Sequence, residues 1–225
     1  MIYLTIVRNL GRHNQGMGAN ATAQVGKAPT PVETAGQAVA VTRAELRRQK
    51  VLTVASDLFA TKGFEATAMR DVAAAANLMS GSLYYHFTSK EEMYVAVQDA
   101  SVSKIFNAVE AAIANVEDPW ARLEAAAVGH LEALLDRSGF RVLVTPILPP
   151  GLGPAVLEKL VAQRDQFERM IKPVIAALGL PASIDRYIFQ KHYLGAINWV
   201  GIWYDPAGPL RPAAIARQIV ATLRR

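Results

Sequence analysis

Two short amphipathic segments separated by a tight turn lie in the stretch Thr67–Lys90, TAMRDVAAAANLMSGSLYYHFTSK, and they restrict the fold of this chain most. Met69, Val72, Ala73 and Ala76 share one face at helical spacing and predict a helix over residues 68–76. Asn77 tolerates the left-handed conformation that ends a helix, and Leu78 gives the turn an apolar anchor. Gly81 to Phe87 predict a second helix, with Leu83 and Phe87 one turn apart on one side. Ser80, Ser82, Tyr84, Tyr85 and His86 fall on the other side, all small or able to hydrogen-bond. Two short helices about a turn of roughly three or four residues form a helix-turn-helix, and a plain packed hairpin fits the same spacing.

The flanks supply what such a pair needs to be stable. Thr42 with Glu45 three residues on is a capping box, and Val51, Leu52, Ala55, Leu58 and Phe59 form an amphipathic face behind it. Lys62 and Gly63 close that helix, and Phe64 is placed to enter the same core. Ser89 and Glu92 form a second capping box opening a helix over 89–115. Its expected inner stripe is Met93, Val97, Ala100, Ile105, Val109, Ala112 and Val116. Lys90 sits in its first turn, where the helix dipole favours an anion.

Charge favours the nucleic-acid reading of the motif over the bare hairpin. The chain carries +5, of which residues 42–90 hold +3, residues 1–41 hold +2, and the rest cancel. A basic segment attached to a neutral one is the footprint of a nucleic-acid-binding domain joined to a second module. The absence of cysteine excludes disulfides, zinc–thiolate sites and thiol catalysis. No Gly-rich phosphate loop, metal-spaced His/Glu cluster or nucleophile elbow is present, so an enzyme is not expected. No cofactor or metal is expected either, since His86 has no other histidine at ligand spacing. Without a run of 18 apolar residues or a secretory signal, the expected location is cytoplasmic.

Residues 43–94 resemble the amino-terminal domain of the Tet repressor (TetR) family of bacterial transcription regulators. The resemblance is carried by Leu58-Phe59, Lys62-Gly63-Phe64, Thr67, Met69-Arg70-Asp71-Val72-Ala73, Gly81-Ser82-Leu83-Tyr84-Tyr85-His86-Phe87 and Ser89-Lys90-Glu91-Glu92. Two positions depart from it: Ala68 replaces the usual capping hydroxyl, and Asn77-Leu78-Met79 replaces Gly-Val-Ser. The resemblance implies an all-α homodimer with an amino-terminal three-helix helix-turn-helix domain and a carboxy-terminal helical ligand-binding and dimerisation domain. Residues 1–41, rich in Gly, Ala, Thr, Asn, Gln and Pro without a sustained period, read as a disordered arm, and the resemblance implies a DNA-binding domain over 42–90 and the effector domain over 91–225. By position Arg70, Ser80, Gly81, Ser82, Tyr84, Tyr85, His86 and Lys90 would face double-stranded operator DNA. Tyr84, His86 and Lys90 would take phosphates, and Ser80, Ser82 and Tyr85 base edges.

The remainder reads as helices. Asp118-Pro119 opens one to about Arg137, with Leu123, Ala126, Ala127, His130, Leu131 and Leu134 inside. A short helix is expected over 140–148, then a helix from Pro154 to Leu178 stopped by Gly179 and Pro181. Asp185 caps a helix over 185–204 that is apolar nearly all round, and a last helix starts at Pro212. Those two helices are expected to form the homodimer interface. Trp199 and Trp203 fit either a pocket lining or that interface, and Arg164 offers a fork for a phosphate or carboxylate. The tail GAINWVGIWYDPAGPL with NLMSGSLYYHF resembles the steroid-catabolism branch of the family, which responds to CoA thioesters. That implies an amphipathic effector such as an acyl-CoA, with Arg164, Trp199 and Trp203 as contacts. A drug-efflux regulator within the family and a helical adaptor without specific DNA binding are the other readings.

Overall fold

The computed structural model describes residues 42–143 and 148–224, so the arm expected over 1–41 lies outside the described residues. Among the described residues there are eight helices and no strand: α1 (Arg43–Ala66), α2 (Met69–Ala75), α3 (Ser80–His86), α4 (Lys90–Ile113), α5 (Pro119–Leu135), α6 (Pro154–Ala176), α7 (Arg186–Trp203) and α8 (Pro212–Leu223). The all-α expectation holds.

Helix boundaries follow the chemistry of their ends. The Thr42 hydroxyl accepts the Glu45 N–H at 3.2 Å, but the Glu45 carboxylate accepts from Gln49. At Gly63 φ is 81°, a left-handed value that interrupts α1, and one further turn carries Phe64 inward. There its ring meets Phe59 and Tyr94, with centroids 5.8 and 5.0 Å away. Asn77 has φ of 57°. The Leu78 N–H donates to the Ala73 carbonyl and the Asn77 N–H to that of Ala74, the paired bonds that satisfy a helix end. In place of the absent hydroxyl at Ala68, the Asp71 carboxylate accepts the Ala68 N–H at 3.3 Å. At the start of α4 Ser89 caps as expected, accepting from the Glu92 N–H at 3.1 Å. Glu92 reaches one residue further back than expected, to the Thr88 N–H and hydroxyl at 2.7 and 2.6 Å.

Two apolar cores organise the chain. One gathers Val51, Leu52, Ala55, Phe59, Leu83 and Phe87 around Met93, Tyr94 and Val97 of α4, and it also takes Leu143, Leu152 and Leu160. The other surrounds Ile105, Val109 and Ile113 of α4 with α5, α6, α7 and α8. The face α4 buries is Met93, Tyr94, Val97, Gln98, Ser101, Ile105, Val109 and Ile113, so Ser101 and Ile113 replace the expected Ala100 and Ala112, and Val116 lies half-buried beyond the helix end.

Residues 140–143 and 148 are not helical, contrary to expectation, and 144–147 lie outside the described residues. The cause is competition from α4. The Ser101 hydroxyl accepts the Leu143 N–H at 3.0 Å, and Lys104 donates to the Phe140 carbonyl and the Asp136 carboxylate, both at 2.9 Å. Backbone groups satisfied by side chains have no need of a helix. Arg141 pairs with Asp57 of α1 at 3.4 Å.

Helices α4 and α5 approach closely at Gly129, where an added Cβ would stand 2.8 Å from the Ala108 carbonyl oxygen. Replacing glycine by alanine inside a helix ordinarily gains about 1 kcal/mol. Here Gly129→Ala is expected to lose about 1–2 kcal/mol net, because backbone must move to admit the methyl. A thermal melt followed by circular dichroism reads this directly. An unchanged or raised midpoint would show that α4 and α5 separate at no cost.

Candidate nucleic-acid interface and effector core

Helix α3 is held by two side chains and leaves the others free. Leu83 and Phe87 are fully buried in the first core, so the opposite side of α3 faces out. Ser80, Gly81, Ser82, Tyr84 and Tyr85 are exposed there, and His86 is half-buried with its ring edge-on to Tyr85. At Gly81 nothing lies within 4 Å of a built Cβ, so the backbone is open to close approach. Met79, not a serine, occupies the N-cap and caps with its carbonyl alone, accepting from Ser82 and Leu83. Arg70 on α2 is exposed, 3.8 Å from Asp71. The sequence-derived DNA set thus occupies α2, α3 and the start of α4.

Lys90 has a second occupation that sequence reasoning did not find. Its ammonium donates to the Phe64 carbonyl at 2.9 Å and the Glu65 carbonyl at 3.4 Å, and lies 4.2 Å from the Phe64 ring centre. It ties the interrupted end of α1 to the start of α4 and keeps one of its three N–H groups spare. Arg48, also not singled out, stacks over the Phe87 ring at 5.3 Å. An arginine one helix away from an aromatic in the motif carried no sequence signal of that contact.

The three residues expected to contact an effector are not brought together. Arg164 on α6 pairs with Asp165 at 2.8 Å and with Glu168 at 3.6 Å. Trp199 and Trp203 sit on the outer side of α7, 57% and 48% exposed, with Ile188, Ile202 and Leu210 also exposed. Trp203 and Leu210 border a groove of about 570 Å³ along Ala214, Ile215 and Ile219 of α8. Within one chain α7 is thus buried on one side, and the side expected at the homodimer interface is exposed. Phe189, Tyr193, Ile197 and Val200 are inside, and the tryptophan side is open.

Inside the second core two polar side chains stand out. His130 is fully buried, edge-on to Phe167 at 5.1 Å, with Asn198 bonded to its ring and Nε2 unpartnered among the described residues. The Tyr193 hydroxyl is equally buried and unpartnered. Burial lowers the His130 pKa to about 4, against the opposing bond from Asn198, and burial raises that of Tyr193. A buried polar atom without a partner costs about 1–3 kcal/mol. Outside this core, the Asp136 carboxyl is held well below the usual range by Ser138 first and Lys104 second. Among the described residues no group of acidic or histidine side chains is placed to hold a metal, and no helix is long and apolar enough to cross a membrane.

An exposed polar helix face carried on a buried helix-turn-helix defines a helical DNA-binding regulator. A family model described as bacterial regulatory proteins, tetR family, matches residues 51–97, and one described as tetracyclin repressor-like, C-terminal domain, matches 116–225. The HTH-type transcriptional repressor KstR2 of Rhodococcus jostii is 40% identical over 181 residues, covering 78% of this chain and 88% of that protein. The solved ketosteroid transcriptional regulator KstR2 of Mycobacterium tuberculosis superposes with a TM-score of 0.65 at 25% identity, over 85% of this chain and 96% of that one. AibR in complex with isovaleryl coenzyme A and operator DNA superposes at 0.69 and 21% identity, over 78% and 97%, a likeness of fold. The chain belongs to the TetR family of bacterial transcription regulators, and its family and these relatives are regulators, not enzymes.

Acid stability tests the His130 environment. Unfolded, the imidazole titrates near its ordinary 6.5; folded, near 4. Between those values the unfolded chain binds a proton the folded chain refuses, so stability is full above about 6.5 and falls as pH drops towards 4. The loss attributable to His130 is about 3 kcal/mol. Denaturant titrations from pH 7 to 4 should show a shallower decline in His130→Leu than in the natural chain. Equal declines would place a proton-accepting partner on Nε2.

Proposed function

We propose that the chain is a homodimeric repressor that places α3 of each subunit in successive major grooves of a palindromic operator and is released by an amphipathic small molecule. The observation that carries the DNA half is the division of α3 into a buried pair, Leu83 and Phe87, and an exposed row of hydroxyl, phenol and imidazole groups. Tyr84, His86 and the spare N–H of Lys90, with Arg70, take phosphates; Ser80, Ser82 and Tyr85 face base edges over the open backbone at Gly81. The exposed tryptophans favour dimerisation over effector contact. Trp199, Trp203, Ile202 and Leu210 form an apolar surface of the kind that a two-fold partner covers.

The effector reading rests on relatedness to KstR2 and on the resemblance to the thioester-responsive branch. An acyl-CoA would put its acyl part in the second core, where His130 Nε2 and the Tyr193 hydroxyl lack partners. Arg164 would exchange its carboxylates for the anionic part of the ligand. Repression is relieved only if the effector binds the splayed dimer better than the DNA-competent one.

Gel shifts on DNA upstream of the chain's own reading frame, with and without acyl-CoA thioesters, test both halves. A specific shift released by a thioester is expected; a shift that only apolar drugs release would move the chain to the efflux reading, and non-specific binding alone to the adaptor. Tyr84→Phe is expected to weaken binding about five- to tenfold without changing sequence preference, the loss of one hydrogen bond per subunit. Lys90→Met should reduce the slope of affinity against salt by about one per subunit. Trp199→Glu with Trp203→Glu should sediment as a monomer, and a persisting dimer would move the interface elsewhere.

A further inference from the structure

Met79 and Tyr85 are the most exposed large apolar or aromatic side chains among the described residues, at 80% and 86%, and both lie on the recognition segment. Tyr85 has a phenolic oxygen and a ring contact with His86 to account for it. Met79 has neither. Its backbone carbonyl caps α3, its side chain makes no cap bond, and α3 itself contains no acidic residue to repel DNA. Methionine held in water at the leading edge of a DNA-facing helix fits one partner on the groove floor. Of the groups that bases present in the major groove, only the thymine C5-methyl is apolar. A flexible, polarizable thioether adapts to such a contact without demanding one geometry.

We infer that Met79 reads a thymine methyl in each operator half-site, so that this chain selects thymine at that position by apolar contact and not by hydrogen bonding. The inference rests on the reading that α3 enters the major groove. Ser80 and Ser82, the next exposed side chains along the segment, supply the polar readout beside it.

The full chain is first used to select its operator from a random duplex library. Each thymine of the selected half-site is then replaced symmetrically by deoxyuridine, which keeps every hydrogen-bonding group and loses only the methyl. One position is expected where this change weakens the natural chain about fifteenfold, from about fourfold per methyl in two half-sites. Met79→Ala should bind the thymine and uracil duplexes alike while keeping the natural thermal midpoint, since the side chain is exposed. If no thymine methyl matters, or if its loss weakens both proteins equally, the thymine contact is overturned and DNA binding stands. A library that enriches no sequence overturns the groove reading and the inference with it.

Discussion

Helix α4 carries a buried residue at every fourth position from Met93 to Ile113, joined in its first half by Tyr94 and Gln98, and that spacing decides what the helix can join. Successive residues on an α-helix turn by about 100°, so a step of four overshoots a full turn by about 40°. Over the five steps of this stripe the buried face rotates by about 200°. The amino-terminal half therefore faces the core of α1 to α3, and the carboxy-terminal half faces the core of α5 to α8. One continuous helix thus serves two cores on different sides. A stripe at the plain 3.6-residue period would have placed both on the same side. Helix α3 is set relative to the second core by that rotation.

Much of this was legible in the amino-acid order. The helix-turn-helix declares itself through Asn77, Leu83 and Phe87, because the left-handed stop and the one-turn apolar pair are local properties. What escaped was settled by long-range polar contacts. Ser101 reads as a surface residue by hydropathy. It is buried because its hydroxyl donates to the Val97 carbonyl and accepts from Leu143, forty-two residues on. The same contact holds residues 140–143 out of the expected helix. Lys90 reads as a DNA-facing cation, and the carbonyls it meets belong to residues twenty-five and twenty-six positions earlier.

The candidate effector residues show the same limit from the other direction. The size and spacing of Trp199 and Trp203 fit a pocket lining and a subunit interface alike, because they do not distinguish the inner side of an all-apolar helix from the outer. Tyr193, of the same aromatic class and on the same helix, is the one buried with an unpartnered oxygen. Arg164 offers a fork for an anion, and in the fold its neighbours Asp165 and Glu168 engage it. Local charge patterning, with acidic residues one and four positions on, carried that information in the sequence.

Leu143, Leu152 and Leu160 complete the core beneath the recognition helix although they lie more than fifty residues beyond it. The helix-turn-helix module is therefore not a cassette. A chimera that transplanted only the motif and its supporting helix would leave behind part of its own floor. The join would expose leucine-sized gaps on one side and orphaned leucines on the other. Exchange of the whole head is penalised by the staple that Leu152 and Leu160 of α6 and its approach provide, whereas the exposed positions of α3 can change in place.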